Sequence, residues 1–114
     1  MLTPAQVAEQ IVKTLDSKSA QDIRALNTAG LTVLADYFII CTATSTTHVK
    51  TLADETERAL SEMGESPLRR EGYRSGAWVL LDFGCAVVHI FLSDEREFYA
   101  LERLWNDAPQ VNFL

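Results

Sequence analysis

Trp78, Asp82, His89 and Phe91 fall within one run, GAWVLLDFGCAVVHIFLSDEREFYALERLW from Gly76 to Trp105, in which two apolar stretches lead into an acid-rich aromatic segment. A carboxylate and an imidazole this close in sequence could move protons if a nucleophile or a metal stood beside them. The sequence offers neither. No Ser or Cys nucleophile signature surrounds His89, and Cys41 and Cys85 lie 44 positions apart without a CxxC or Cys/His metal spacing. His89 therefore reads as a satisfied strand histidine, and Asp82 as a structural residue at a strand end. The cysteines read as two free thiols, buried or half-buried, and Trp105, at helical spacing from Leu101, as packing. No catalytic residue, metal or cofactor is expected.

The elements that hold these residues follow from periodicity and punctuation. Thr3-Pro4-Ala5-Gln6 combines an N-cap, a first-turn proline and a capping-box glutamine, and Ala8, Ile11, Val12 and Leu15 share a face, so a helix is predicted over 4–17. Asp22 to Leu26 suits a short strand and Asn27 to Gly30 a turn. The run from Asp36 to Ala43, β-branched and aromatic on both faces, suits a central strand. Thr44 to Thr47 offer cap hydroxyls to a helix over 46–63. Its inward stripe is Val49, Leu52, Ala53, Thr56, Leu60 and Met63, its outer face carries Asp54, Glu55, Glu57 and Glu62, and Gly64 closes it. Leu68 to Glu71 suits a short strand before a turn region between Gly72 and Gly76. Strands over 77–83 and 86–92 follow, then a helix capped by Ser93 or Asp94 bearing Phe98, Leu101, Leu104 and Trp105. The order α-β-β-α-β-β-β-α describes a single α/β (α+β) domain, residues 1–114, on a mixed sheet of about five strands.

Strand parity then sorts the opening residues. A two-residue loop, Gly84-Cys85 or Phe83-Gly84, puts Trp78, Leu80 and Asp82 on one face with Val87, His89 and Phe91. A three-residue loop would flip one strand, and the glycine favours the even loop. The opposite face, Val79, Leu81, Val88 and Ile90, is aliphatic and suits packing on the two helices. The mixed face combines aromatic bodies with polar tips, a composition open to either a docking surface or a core. The last helix, of about three turns, spans roughly 15–18 Å by 10 Å, less than a five-stranded sheet, so part of this face should stay exposed.

Charge narrows the partner. Ten Lys and Arg against sixteen Asp and Glu give −6, which repels phosphate backbones and anionic lipids, so a protein partner is expected rather than nucleic acid or membrane. Arg69-Arg70, interrupted at once by Glu71, reads as a solvated loop or strand edge. With no signal peptide, membrane-length apolar run or transit segment in view, a cytoplasmic location is expected.

A family pattern runs through nearly the whole chain. It comprises Ala35-Asp36-Tyr37-Phe38, Ser45 with His48-Val49, Glu71-Gly72 with Gly76, and Trp78-Val79-Leu80-Leu81-Asp82. It continues with Gly84, Val88-His89-Ile90-Phe91, and Arg96 with Phe98-Tyr99, Leu101-Glu102 and Leu104-Trp105. In this order they resemble the ribosomal silencing factor family, RsfS or Iojap-like proteins. The resemblance implies a cytoplasmic translational repressor that binds the large ribosomal subunit through its fourteenth ribosomal protein and blocks joining of the small subunit. It also implies a homodimer when free, and links to ribosome biogenesis in organellar relatives. The chain departs from the pattern at Ala43, where many relatives carry Gly, and at Cys85, where many carry Asp.

Within that resemblance, parity assigns the docking patch to Trp78, Leu80, Asp82, His89 and Phe91, with Arg96, Tyr99 and Leu101 at the adjoining helix start. The family fold is similar to that of nucleotidyltransferases, which makes a metal-dependent enzyme the alternative. Those enzymes need paired carboxylates and a Gly-Ser phosphate grip, and the sequence holds no Asp-x-Asp and no Gly-Ser dipeptide. A dimeric scaffold with no ribosomal role is the third reading.

Overall fold

The computed structural model of the chain describes residues 3–29, 35–92, 110, 111 and 113. Helix α1, Pro4–Ser17, starts on the capping box read from sequence: the Gln6 amide donates to Thr3 Oγ1 and the Thr3 amide donates to Gln6 Oε1. Strand β1, Gln21–Asn27, opens with a register shift between Gln21 and Arg24, where Asp22 takes a left-handed φ of 48°. The turn after it is tied down by Thr28, whose amide donates to the Asp36 carbonyl and whose hydroxyl donates to that of Ala35. Strand β2, Tyr37–Ala43, leads through the Ser45 N-cap into α2, Thr46–Glu62. Gly64, at φ 87°, provides the left-handed residue that ends this helix.

Strands β3, Arg69–Glu71, β4, Trp78–Asp82, β5, Ala86–Leu92, and β6, Gln110–Val111, complete a sheet of order β3-β4-β5-β2-β1-β6. Among the described residues only β2 and β5 pair in parallel, in a register that sets Ile40 beside His89 and Phe38 beside Val87. As its composition implied, β2 lies inside the sheet, between β5 and β1.

Both described helices lie on one side. Val7, Ile11, Leu15, Val49, Leu52 and Leu60 pack against Ile39, Cys41, Val79, Leu81, Val88 and Ile90 in one buried cluster. The other side of the sheet carries a second cluster, Leu26, Phe38, Ile40 and Phe91, with Trp78 packed against it.

Three expectations need adjustment. Met63 lies at the C-cap, after the last helical turn, and is 39% exposed instead of completing the inward stripe. Leu68 precedes β3 and is 73% exposed. The sheet gains a sixth strand, β6, whose two residues pair with Ala25 and Leu26 and are too few to show alternation in sequence. The helix expected after Ser93, with Phe98, Leu101, Leu104 and Trp105, lies outside the described residues.

Candidate docking face

The β4–β5 hairpin sets the site's geometry. Phe83 donates its amide to the Ala86 carbonyl at 2.9 Å, leaving Gly84-Cys85 as a two-residue loop. Gly84 has φ 88° while Cys85 is not left-handed, the φ pattern of a type II′ turn with glycine first. The loop is even, as the parity reading required. Trp78 therefore faces Phe91, Leu80 faces His89 and Asp82 faces Val87, and the β2 pairing adds Phe38 and Ile40 to the same face.

Asp82 is occupied by its own hairpin. Its Oδ1 accepts the Gly84 amide at 2.8 Å, and its Oδ2 accepts Arg69 Nε from the neighbouring strand at 3.3 Å. This carboxylate stabilises the turn that carries Cys85. Cys85 is half-buried, and burial raises its thiol above the ordinary range, away from thiolate chemistry. Asp82→Ala is expected to cost about 1–2 kcal/mol of stability, because it strips a charge-assisted acceptor from a turn amide. Thermal denaturation of the variant measures this.

At the centre is an aromatic stack with a hydrogen bond between two of its rings. Trp78 Nε1 donates to His89 Nδ1 at 2.9 Å, with the two rings 5.7 Å apart and 26° from parallel. Phe91 stacks on Trp78 at 5.4 Å, and Phe38 lies 4.6 Å from the His89 ring. Burial pushes the His89 pKa down to about 4. The folded pKa therefore lies below the unfolded value of about 6.5, and between the two the unfolded chain binds more protons. This group's contribution is fully present above about pH 6.5 and is lost as pH falls towards about 4. From about pH 7.5 to 5.5 the chain should lose on the order of 1 kcal/mol that His89→Leu does not lose. Urea denaturation of both proteins at the two pH values checks it, and equal losses would contradict a buried, neutral His89.

Beside the stack, Trp78, Leu80, Glu71 and Gly72 line an open groove of about 250 Å³. Gly72 has φ 80°, and a side chain there would collide with the Trp78 carbonyl, so the β3–β4 connection can pass this close only with glycine. Tyr73 anchors that connection to α2: its hydroxyl donates to Asp54 Oδ2 at 2.9 Å, and the Arg70 guanidinium lies 4.3 Å over its ring. Arg70 also pairs with Glu57, and Arg69 with Asp82, so these arginines are ion-paired at a strand edge.

The structure thus brings five of the expected residues onto one face, in three environments. Trp78 and Leu80 are half-buried at the groove. His89, 6% exposed, and Phe91, fully buried, lie behind them. Asp82 closes the hairpin. Arg96, Tyr99 and Leu101 lie outside the described residues. Sequence reasoning missed Phe38 and Ile40, which reach this face through a parallel pairing that leaves no local mark, and Glu71 and Gly72 as groove walls. Among the described residues no group of three or more His, Cys, Asp or Glu is placed to hold a metal ion, and no helix is long and apolar enough to cross a membrane.

Comparison with known proteins gives one consistent result. Residues 2–113 match the family described as ribosomal silencing factor during starvation. The chain is 42% identical over 106 residues to ribosomal silencing factor RsfS of Halalkalibacterium halodurans, an alignment covering 93% of this chain and 91% of that one. A crystal structure of a Chromobacterium violaceum protein superposes with a TM-score of 0.90 at 34% identity, covering 92% of this chain and 88% of that one. A mouse protein named mitochondrial assembly of ribosomal large subunit protein 1 is 29% identical over 100 residues, 85% of this chain and 44% of its own length.

Proposed function

Because the chain belongs to the ribosomal silencing factor family, we propose that it binds the large ribosomal subunit through that subunit's fourteenth ribosomal protein. Bound there, it stops the small subunit from joining and represses translation in the cytoplasm when nutrients are scarce. It acts by occupying a surface, without catalysis.

The observation that carries this reading is the pair Trp78 and Leu80, half-buried beside an open groove on the sheet face opposite both described helices. A tryptophan backed by packed aromatic rings is already ordered, so burying it against a partner costs little further entropy, the setting in which interface hot spots arise. The charge of −6 adds steering towards a basic ribosomal protein and disfavours naked RNA as the primary target. The mouse relative's name supports the large subunit as the place of action. Arg96, Tyr99 and Leu101 belong to the same proposed patch on the strength of the sequence pattern. A homodimer formed through this face would compete with docking.

The test is direct capture. Immobilised chain should retain the purified fourteenth protein of the large subunit and co-sediment with intact large subunits. Recovery of neither sinks the proposal and favours a scaffold without a ribosomal role.

A further inference from the structure

Tryptophan has one polar group, an N–H that can only donate. Here that group is used inside the chain, on His89 Nδ1 at 2.9 Å. An imidazole nitrogen that accepts carries no proton, so the His89 proton sits on Nε2. The acceptor is itself immobile: His89 is 6% exposed, with the Phe38 ring at 4.6 Å and the Phe91 ring at 6.0 Å and 11° from parallel. Packing fixes the imidazole, and the imidazole fixes the indole.

Building on the docking reading above, we propose that His89 is the positioning residue of the docking site. It holds the Trp78 indole with its N–H satisfied internally, so the partner surface that receives this ring is apolar and supplies no hydrogen-bond acceptor to it. The groove walls agree: Leu80 and the side-chain-free Gly72 offer the partner no polar side chain, and the Glu71 carboxylate, an acceptor itself, disfavours a second acceptor brought in beside it. An indole with an unmet N–H would need an acceptor from the partner or would lose a hydrogen bond to water on docking. With the donor already met, recognition falls to the part of the half-buried ring that stays exposed. The arrangement also fixes the side chain before binding, which removes part of the ordering cost of association.

Three proteins test this: wild type, His89→Asn, whose Oδ1 can stand where Nδ1 accepts, and His89→Leu, which fills the space without an acceptor. In the free chain, the Trp78 indole N–H, assigned by its loss in Trp78→Phe, should exchange with solvent slowly in wild type and His89→Asn. It should exchange at least about tenfold faster in His89→Leu. Affinity for large subunits, measured by co-sedimentation of folded protein, should fall about three- to tenfold in His89→Leu and stay within about twofold in His89→Asn. Equal exchange in all three proteins overturns the positioning role. A folded His89→Leu that binds as tightly as wild type, or tighter because a partner acceptor takes the released N–H, overturns the apolar recipient. Wild type that shows slow exchange yet does not bind large subunits contradicts the docking reading itself, and the role in docking with it.

Discussion

Trp78→Ala should weaken binding to the large subunit by about 2–4 kcal/mol, thirtyfold to several-hundredfold, in a chain that remains folded. Trp78 is half-buried and lies at the edge of the second cluster, against Phe91 and His89, so its ring contributes to packing on one side and to the groove on the other. Truncation removes the groove side together with the ring's stacking on His89 and Phe91, and leaves the buried cluster of Leu26, Phe38, Ile40 and Phe91 in place to hold the fold. The neighbouring Val79 is the control. One position along the strand, it points to the helix side and is fully buried in the main cluster. Val79→Ala should cost about 2 kcal/mol of stability through lost burial and a small cavity, while the folded fraction binds as wild type. Affinity and denaturation midpoint measured on both variants should move separately. A Trp78→Ala protein of normal affinity, or a folded Val79→Ala protein that has lost it, contradicts the assignment of faces.

Phe91→Ala should have the larger effect on stability, about 3–5 kcal/mol. Phe91 is fully buried, joins Leu26, Phe38 and Ile40 in the second cluster, and lies behind the Trp78 ring. Domains of this size are stable by about 5–15 kcal/mol, so the variant should sit close to unfolding at moderate temperature. Phe91→Leu keeps most of the volume and should lose less than about 2 kcal/mol. Urea titration reads both, and a loss under about 1 kcal/mol in Phe91→Ala would show that this face is not a packed support for Trp78.

The alternation in WVLLD and AVVHIFL, with Gly84 between them, was enough to place Trp78, Leu80, Asp82, His89 and Phe91 on one face, because a two-residue loop leaves a single parity. The Thr3–Gln6 capping box was legible for the same reason: its chemistry lies within four residues. What stayed hidden depends on distant partners. Ile40 meets His89 through a parallel pairing across α2, β3 and β4, and no local signature marks which strand a parallel strand joins. Burial was equally illegible. The sequence could not show that His89 and Phe91 would be sealed while Trp78 and Leu80 stay half-exposed, because that depends on the second cluster contributed by β1 and β2.

Subunit joining, followed by sedimentation of purified small and large subunits with increasing amounts of this protein, tests the central claim most directly. With wild-type chain at saturation, joined ribosomes should disappear in favour of free subunits, with the chain travelling on the large one. Trp78→Ala should need at least about thirtyfold more protein for the same effect. Subunits that join as readily at saturating wild-type protein as without it would contradict the account.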